Sequence, residues 1–163
     1  MSEQTWEPVW QQKRIDAIGL TLDFMAGVPS TEGIFEGIHY VVQSLDSLIL
    51  GVWYGKNQNL ETFRAGLGGV VTFGTEEEVT ICGLAARRLV ATVEASSAVG
   101  LVEGPDGSIG HIYSSSESVT HVAVSLTLRD QGVLIKWQVA TAKREAYGEA
   151  EQHFWSAVTC TND

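Results

Sequence analysis

Two apolar rows, Val122, Val124, Leu126, Leu128 and then Val133, Ile135, Trp137, Val139, flank a polar hinge at Arg129-Asp130-Gln131-Gly132. Successive side chains of a strand point to opposite faces, so each row falls on one side of its strand. The segment therefore predicts a long β-hairpin with one greasy face. That face has to be buried. From about Lys143 to Thr159 the pattern changes to helical spacing: Tyr147, Ala150, Phe154, Ala157 and Val158 make an apolar stripe, and Glu145, Glu149 and Gln152 lie opposite. Such a helix is a natural cover for the hairpin.

The remaining chain fits around this unit. Ile18, Leu20, Leu22 and Phe24 alternate with smaller or polar residues and predict a strand, ended by Gly27-Val28-Pro29-Ser30. Ile38, Tyr40 and Val42, a turn at Ser44–Ser47, and Leu48 to Tyr54 predict a second hairpin. Asn59 is a good N-cap for a short helix with Leu60, Phe63 and Leu67 on one face, stopped by Gly68-Gly69. Val79 and Ile81 begin a strand that turns at Gly83, and Arg87, Leu89, Ala91 and Val93 form the next one. Residues 96–118 are small and polar, a long connection with a weak strand at Ile109–Tyr113. Residues 1–14 carry Trp6 and Trp10 four apart and predict an N-terminal arm or short helix. The expected architecture is one α+β domain over residues 1–163 with its core at 16–158. Its antiparallel sheet has about six or seven strands packed by a central and a C-terminal helix.

Composition narrows the function classes. Twenty acidic residues against ten basic ones give a formal net charge of -10 over 163 residues. That sign repels phosphate backbones, and Lys13-Arg14, Arg87-Arg88 and Lys143-Arg144 are too short to make a basic arm, so nucleic acid is not an expected partner. The run Glu76-Glu77-Glu78 reads as a solvated loop. No apolar stretch approaches the roughly 20 residues of a spanning helix, and residues 1–8 show neither the basic start nor the apolar core of a signal peptide. Cys82 and Cys160 suit reduced thiols in a cytoplasm; a bridge between them is compatible with the sequence, but nothing in it requires one. A cytoplasmic protein without membrane insertion is the expectation.

The search for chemistry returns little. His39, His111, His121 and His153 stand apart in sequence and form no local metal clamp. Glu149 and His153 are four apart on the last helix and read as an exposed pair. Cys82 has no basic cluster to activate its thiol. Gly66-Leu67-Gly68-Gly69 follows a helix and lacks the Lys-Ser/Thr of a phosphate loop. Asp106-Gly107-Ser108 is too poor in carboxylates for calcium, and Ser114-Ser115-Ser116 lacks the glycines of a nucleophile elbow. No catalytic residue, metal site or cofactor is expected.

The order of elements, with Val79-Thr80-Ile81-Cys82-Gly83-Leu84-Ala85-Ala86-Arg87 and the closing Glu151-Gln152-His153-Phe154-Trp155-Ser156-Ala157-Val158, resembles the PsbP-like α/β/α sandwich superfamily. That superfamily includes the bacterial DcrB-like proteins and the Eag-type chaperones of type VI secretion effectors. The resemblance implies a binding protein without catalytic residues. The chain lacks the Pro-x-Gly-Trp element of the effector chaperones and a lipoprotein cysteine.

The leading functional expectation is a protein-binding adaptor or chaperone-like protein, with a second copy of the chain among the candidate partners. It would use a sheet face or groove, with Trp6, Trp10, Trp53 and Tyr54 as anchors. Trp53 and Tyr54 are adjacent in one strand and must face opposite sides. The alternative is a carrier of a small apolar ligand held in a cavity between the sheet and the C-terminal helix, with Gly19, Gly51 and Gly55 allowing curvature. An enzyme is a third reading and would need a cleft built from residues distant in sequence.

Overall fold

The structure, a computed structural model, describes residues 8–95, 100–103, 109–112 and 117–161, with residues 100–103 and 109–112 as backbone only. Trp6, the Gly104-Pro105-Asp106-Gly107 turn, Ser108 and Ser114–Ser116 lie outside the described residues. Five strands come first: β1 (Trp10–Ile15), β2 (Leu20–Met25), β3 (Ser30–Phe35), β4 (Ile38–Leu45) and β5 (Leu48–Gly55). Helix α1 (Leu60–Gly66) precedes β6 (Val71–Phe73), β7 (Glu77–Ile81) and β8 (Leu84–Val93). A separate small hairpin, β9 (Gly100–Glu103) and β10 (Ile109–Ile112), follows. The chain then forms β11 (Val119–Leu128), β12 (Gln131–Ala140), a 3-10 turn (Thr141–Lys143), α2 (Gly148–Ser156) and β13 (Thr159–Cys160).

The strands make one antiparallel sheet of eight, in the order β3-β4-β5-β12-β11-β8-β6 with β7 also on β8, and a second of three, β1-β2-β13. The central hairpin has the expected register. Val122 faces Trp137, Val124 faces Ile135 and Leu126 faces Val133, and β5 continues the row with Leu50 opposite Trp137 and Val52 opposite Ile135. Against this row the small sheet sets Leu20, Leu22 and Phe24, and α2 adds Ala150 and Phe154. The outer face of the large sheet carries a smaller core, in which Leu60 and Phe63 of α1 meet Leu89, Ala91, Ala123 and Leu134. Each large side chain buried in this way is worth roughly 1.5–3 kcal/mol.

The expected α+β architecture, a sheet packed by a central and a C-terminal helix, is overturned. The chain is mostly strand, and a second sheet forms much of the layer assigned to the last helix. That helix is cut to Gly148–Ser156, because 141–147 turn in 3-10 and irregular geometry and Thr159-Cys160 leave to pair with Thr21 and Leu20 of β2. The short-helix reading of the N-terminal segment is corrected too. Trp10–Ile15 is extended and pairs with β2 over its whole length, so the two-tryptophan spacing reflects no helix there. The acidic run is largely exposed, but only Glu76 of it lies in a loop. Glu77 and Glu78 lie in β7, Glu76 accepts from Arg64 (2.9 Å) and Arg87 (3.1 Å), and Glu77 accepts from Arg88 (3.2 Å). The Arg64 and Arg87 bonds outweigh a smaller burial effect and hold the Glu76 carboxyl below its usual range.

Turn chemistry sets the registers. Glu36-Gly37, Asp46-Ser47, Cys82-Gly83 and Arg129-Asp130 each form a two-residue hairpin loop. Arg129 and Asp130 both take positive φ, 49° and 63°, which non-glycine residues rarely adopt. The Arg129 guanidinium donates to the Asp16 carbonyl at 2.8 Å, tying this loop to the β1–β2 turn. Cys82 at the β7–β8 turn is joined by a disulfide to Cys160 of β13, so the two sheets are linked covalently as well as by packing.

One buried polar residue also joins the layers. Gln43 of β4 accepts from the Met25 N–H (2.7 Å) and donates to the carbonyls of Met25 (2.9 Å) and Val28 (2.8 Å). Gln43→Ala leaves these backbone groups without those bonds in a dry site. The expected loss, read from urea unfolding, is about 1–3 kcal/mol.

Candidate functional site

Of the four aromatic anchors expected from sequence, the three described ones, Trp10, Trp53 and Tyr54, do not come together. Trp6 lies outside the described residues. Tyr54 is a core residue, 8% exposed, stacked on His39 with ring centroids 4.8 Å apart. Burial raises its phenol pKa, with a further push from Glu32. Trp10 stacks on His153 at 4.6 Å, and His153 Nε2 is 2.7 Å from Asp23 Oδ2. His153 thus binds β2 and β1 to α2 instead of pairing with Glu149. Trp53 and Tyr54 do face opposite sides of β5. Tyr54 packs in the inter-sheet core and Trp53 packs against the core under α1.

Trp53 has a neighbour that sequence reading did not single out. Lys136 of β12 lies with its Nζ 3.9 Å from the Trp53 ring centroid and 5.7 Å from that of Phe63. Its direct cross-strand partners are Gly51 on β5 and Ala123 on β11, so the lysine stem rises between two positions with little side chain. Gly51 is required there: a Cβ would sit 2.5 Å from the Val41 carbonyl oxygen. Burial lowers the Lys136 pKa from 10.5 to about 8. The nearby His121, on β11, contacts the Phe63 ring edge-on at 6.0 Å. Its pKa falls to about 4, mainly by burial and secondly by the Lys136 charge, and its buried Nδ1 has no hydrogen-bond partner among the described residues.

His121 gives the fold an acid-sensitive element. Its folded pKa of about 4 lies below the ordinary 6.5, so the unfolded chain binds more protons between those values. The associated stability is present above pH 6.5 and is lost as pH falls toward 4. His121→Gln should therefore lose less stability than wild type between neutral and acidic pH, by an amount on the order of 3 kcal/mol. Parallel acid-limb slopes in urea melts of the two proteins would refute this.

The second exposed feature is the edge of the large sheet. No described residue pairs with the outer side of β3, and Ile34 and Phe35 at its end are each 66% exposed. Glu32 of the same strand forms a salt bridge with Lys13 of β1. Among the described residues no group of three His, Cys, Asp or Glu side chains comes together as a metal site.

No family model matches the sequence, and no curated protein matches it. Solved structures do match. The solution structure of cyanobacterial PsbP (CyanoP) from Synechocystis sp. PCC 6803 superposes with a TM-score of 0.60 at 10% identity, covering 99% of this chain and 98% of that one. The fold is PsbP-like. LpqN, a protein involved in cell envelope biogenesis of Mycobacterium tuberculosis, matches with a TM-score of 0.41 at 9% identity over 83% of this chain and 87% of its own. The PsbP-like fold agrees with the resemblance drawn from Val79–Arg87 and the closing helix. It covers the whole domain, including the β1-β2-β13 layer that the sequence pattern did not reveal.

Proposed function

We propose that this PsbP-like domain is a non-enzymatic, adaptor- or chaperone-like binding protein that receives an extended segment of another protein along β3. The observation that carries the reading is the end of that strand: two adjacent large apolar side chains, Ile34 and Phe35, both 66% exposed beside a sheet edge that no described residue pairs with. An edge strand presents a row of free backbone donors and acceptors, which an incoming strand satisfies while its side chains engage exposed apolar groups. The net charge of -10 and the exposed Glu36 in the hairpin loop favour a partner segment that is basic as well as apolar. The kinship with DcrB-like proteins and secretion-effector chaperones is part of this proposal and rests on sequence pattern.

The carrier alternative has less support in its original location. The space between the large sheet and α2 is occupied by Trp137 and Phe154, whose ring centroids are 5.3 Å apart. The Cys82–Cys160 bridge supports work in an oxidising compartment, where such bonds persist, over the cytoplasmic setting that reduced thiols would suit. A photo-crosslinking residue placed at Phe35 in the native host tests the binding reading. A discrete partner adduct is expected, lost with an added Ile34→Glu and unaffected by Val70→Glu near the opposite edge. An adduct pattern that ignores Ile34→Glu would refute the use of this edge.

A further inference from the structure

The Lys136 cleft lies on the face of the large sheet that carries α1, and the partner-binding reading makes no use of it. The cleft encloses about 220 Å³ and is walled by Trp53, Phe63, Ile38, Leu67 and Leu134, with Lys136 its only charged lining residue. Among the described residues, no acid pairs with Lys136 and no hydrogen-bond acceptor is provided for its three N–H donors. The rings of Trp53 and Phe63 attract the ammonium but accept no strong hydrogen bond. A partly buried cation left in this state gains from an anion that enters beside it.

We infer that this cleft binds a small monocarboxylate with an apolar body, its carboxylate on Lys136 Nζ and its body against Trp53, Phe63 and Leu134. The single charge follows from the lining. Of the two other polar lining residues, Gln58 is neutral and the Thr62 hydroxyl is engaged with the Asn59 backbone in the helix cap, so a phosphate would have one cation to meet its two charges. The small size follows from the volume, which is below the roughly 300–1,000 Å³ of ordinary ligand pockets. Gly51 and Ala123 beside the lysine keep the approach to Nζ free of bulk.

The groups packed around Lys136 set the pH dependence. β11 contributes His121, which is neutral near pH 7 and adds no second cation, while β5 contributes Trp53 and α1 contributes Phe63 and Thr62. No lining residue is acidic. The lysine is protonated below about 8 and loses its charge above that value, so affinity is present near neutrality and falls as pH rises through it.

The test is a benzoate titration of the full disulfide-intact chain, following the Trp53 indole N–H by NMR. Benzoate should saturate the shift with a Kd of roughly a millimolar near pH 7. Benzyl alcohol, the Lys136→Met variant, and wild type near pH 9.5 should each bind about tenfold more weakly or worse. Lys136→Met removes the charge and keeps the length, and its fold is checked by the dispersion of the same spectra. Should that variant not fold, the alcohol and the pH series on wild type decide. Equal binding of benzyl alcohol, undiminished binding at high pH, full affinity in a folded Lys136→Met, or no saturation by benzoate would each overturn the inference. Loss of the Phe35 crosslink leaves this result untouched, so failure of the two readings is distinguishable.

Discussion

Reduction of the Cys82–Cys160 bridge, or its replacement in Cys82→Ser/Cys160→Ser, is expected to lower the midpoint of thermal unfolding by about 10 °C. The two cysteines are 78 residues apart, so the bond closes most of the second half of the chain into a loop. In the chain-entropy account a closed loop of that length restrains the unfolded state by about 4.5 kcal/mol, and each kcal/mol moves the melt of a chain this size by about 2–4 °C. The native state has its own reason to depend on it. β13 has two residues, Thr159 and Cys160, and pairs only with the start of β2 among the described residues. So short a strand has little hold by ladder bonds alone. The bridge fastens it to the β7–β8 turn, where Cys82 takes a φ of 57°. Hydrogen exchange should show the 157–161 backbone opening first when the bond is reduced. A melt unchanged by reductant, with both thiols shown free by labelling, would refute the stabilising role.

The parts of the fold legible in sequence are those whose side chains carry a one-sided pattern. The rows of β11 and β12 are buried on one face as their alternation demanded, and Leu20, Leu22 and Phe24 of β2 behave in the same way. The Asn59 cap was legible because its chemistry is local: its side chain accepts from the Thr62 N–H at 2.9 Å. What failed was weakly patterned. β3 reads Ser-Thr-Glu-Gly-Ile-Phe and stays largely exposed, so burial imposes no alternation on it. β1 is mostly polar for the same reason, and the Trp6–Trp10 spacing suggested an arm or a short helix. The three-stranded layer depends on a return of the last residues to β2, a long-range pairing that no local signal specifies.

The candidate site was legible only in fragments. Trp53 was picked for being aromatic on an alternating strand, but its role depends on Lys136, which is brought beside it by β5–β12 pairing. Lys136 shares its face of β12 with Leu134 and Gln138, so alternation alone reads that row as mixed and does not mark the lysine as buried. His121, two registers away on β11, lies in a similarly mixed row with Ser125 and Thr127. In both cases the residue stands in the mixed row of its strand, and its burial comes from helix α1 covering that face, which no local pattern specifies.

The other large effect expected is at the centre of the inter-sheet core. Trp137 is fully buried, sits opposite Val122 and Leu50, and holds its ring 5.3 Å from Phe154 of α2. Trp137→Ala removes the largest side chain there, and the neighbours belong to two sheets and a helix that cannot all close in. A cost of about 3–5 kcal/mol is expected, enough to leave a domain of ordinary stability partly unfolded near 37 °C. Trp137→Phe separates packing from polarity. The indole Nε1 is buried without a hydrogen-bond partner among the described residues, so phenylalanine removes a polar group that was desolvated at a cost while keeping a ring against Phe154. Its net effect should stay within about 1.5 kcal/mol of wild type. Phe154→Ala should resemble Trp137→Ala, and the double alanine variant should cost less than the sum because each empties space the other lines. If Trp137→Ala melts within a degree or two of wild type, the two sheets do not meet on this residue and the layered core is wrong.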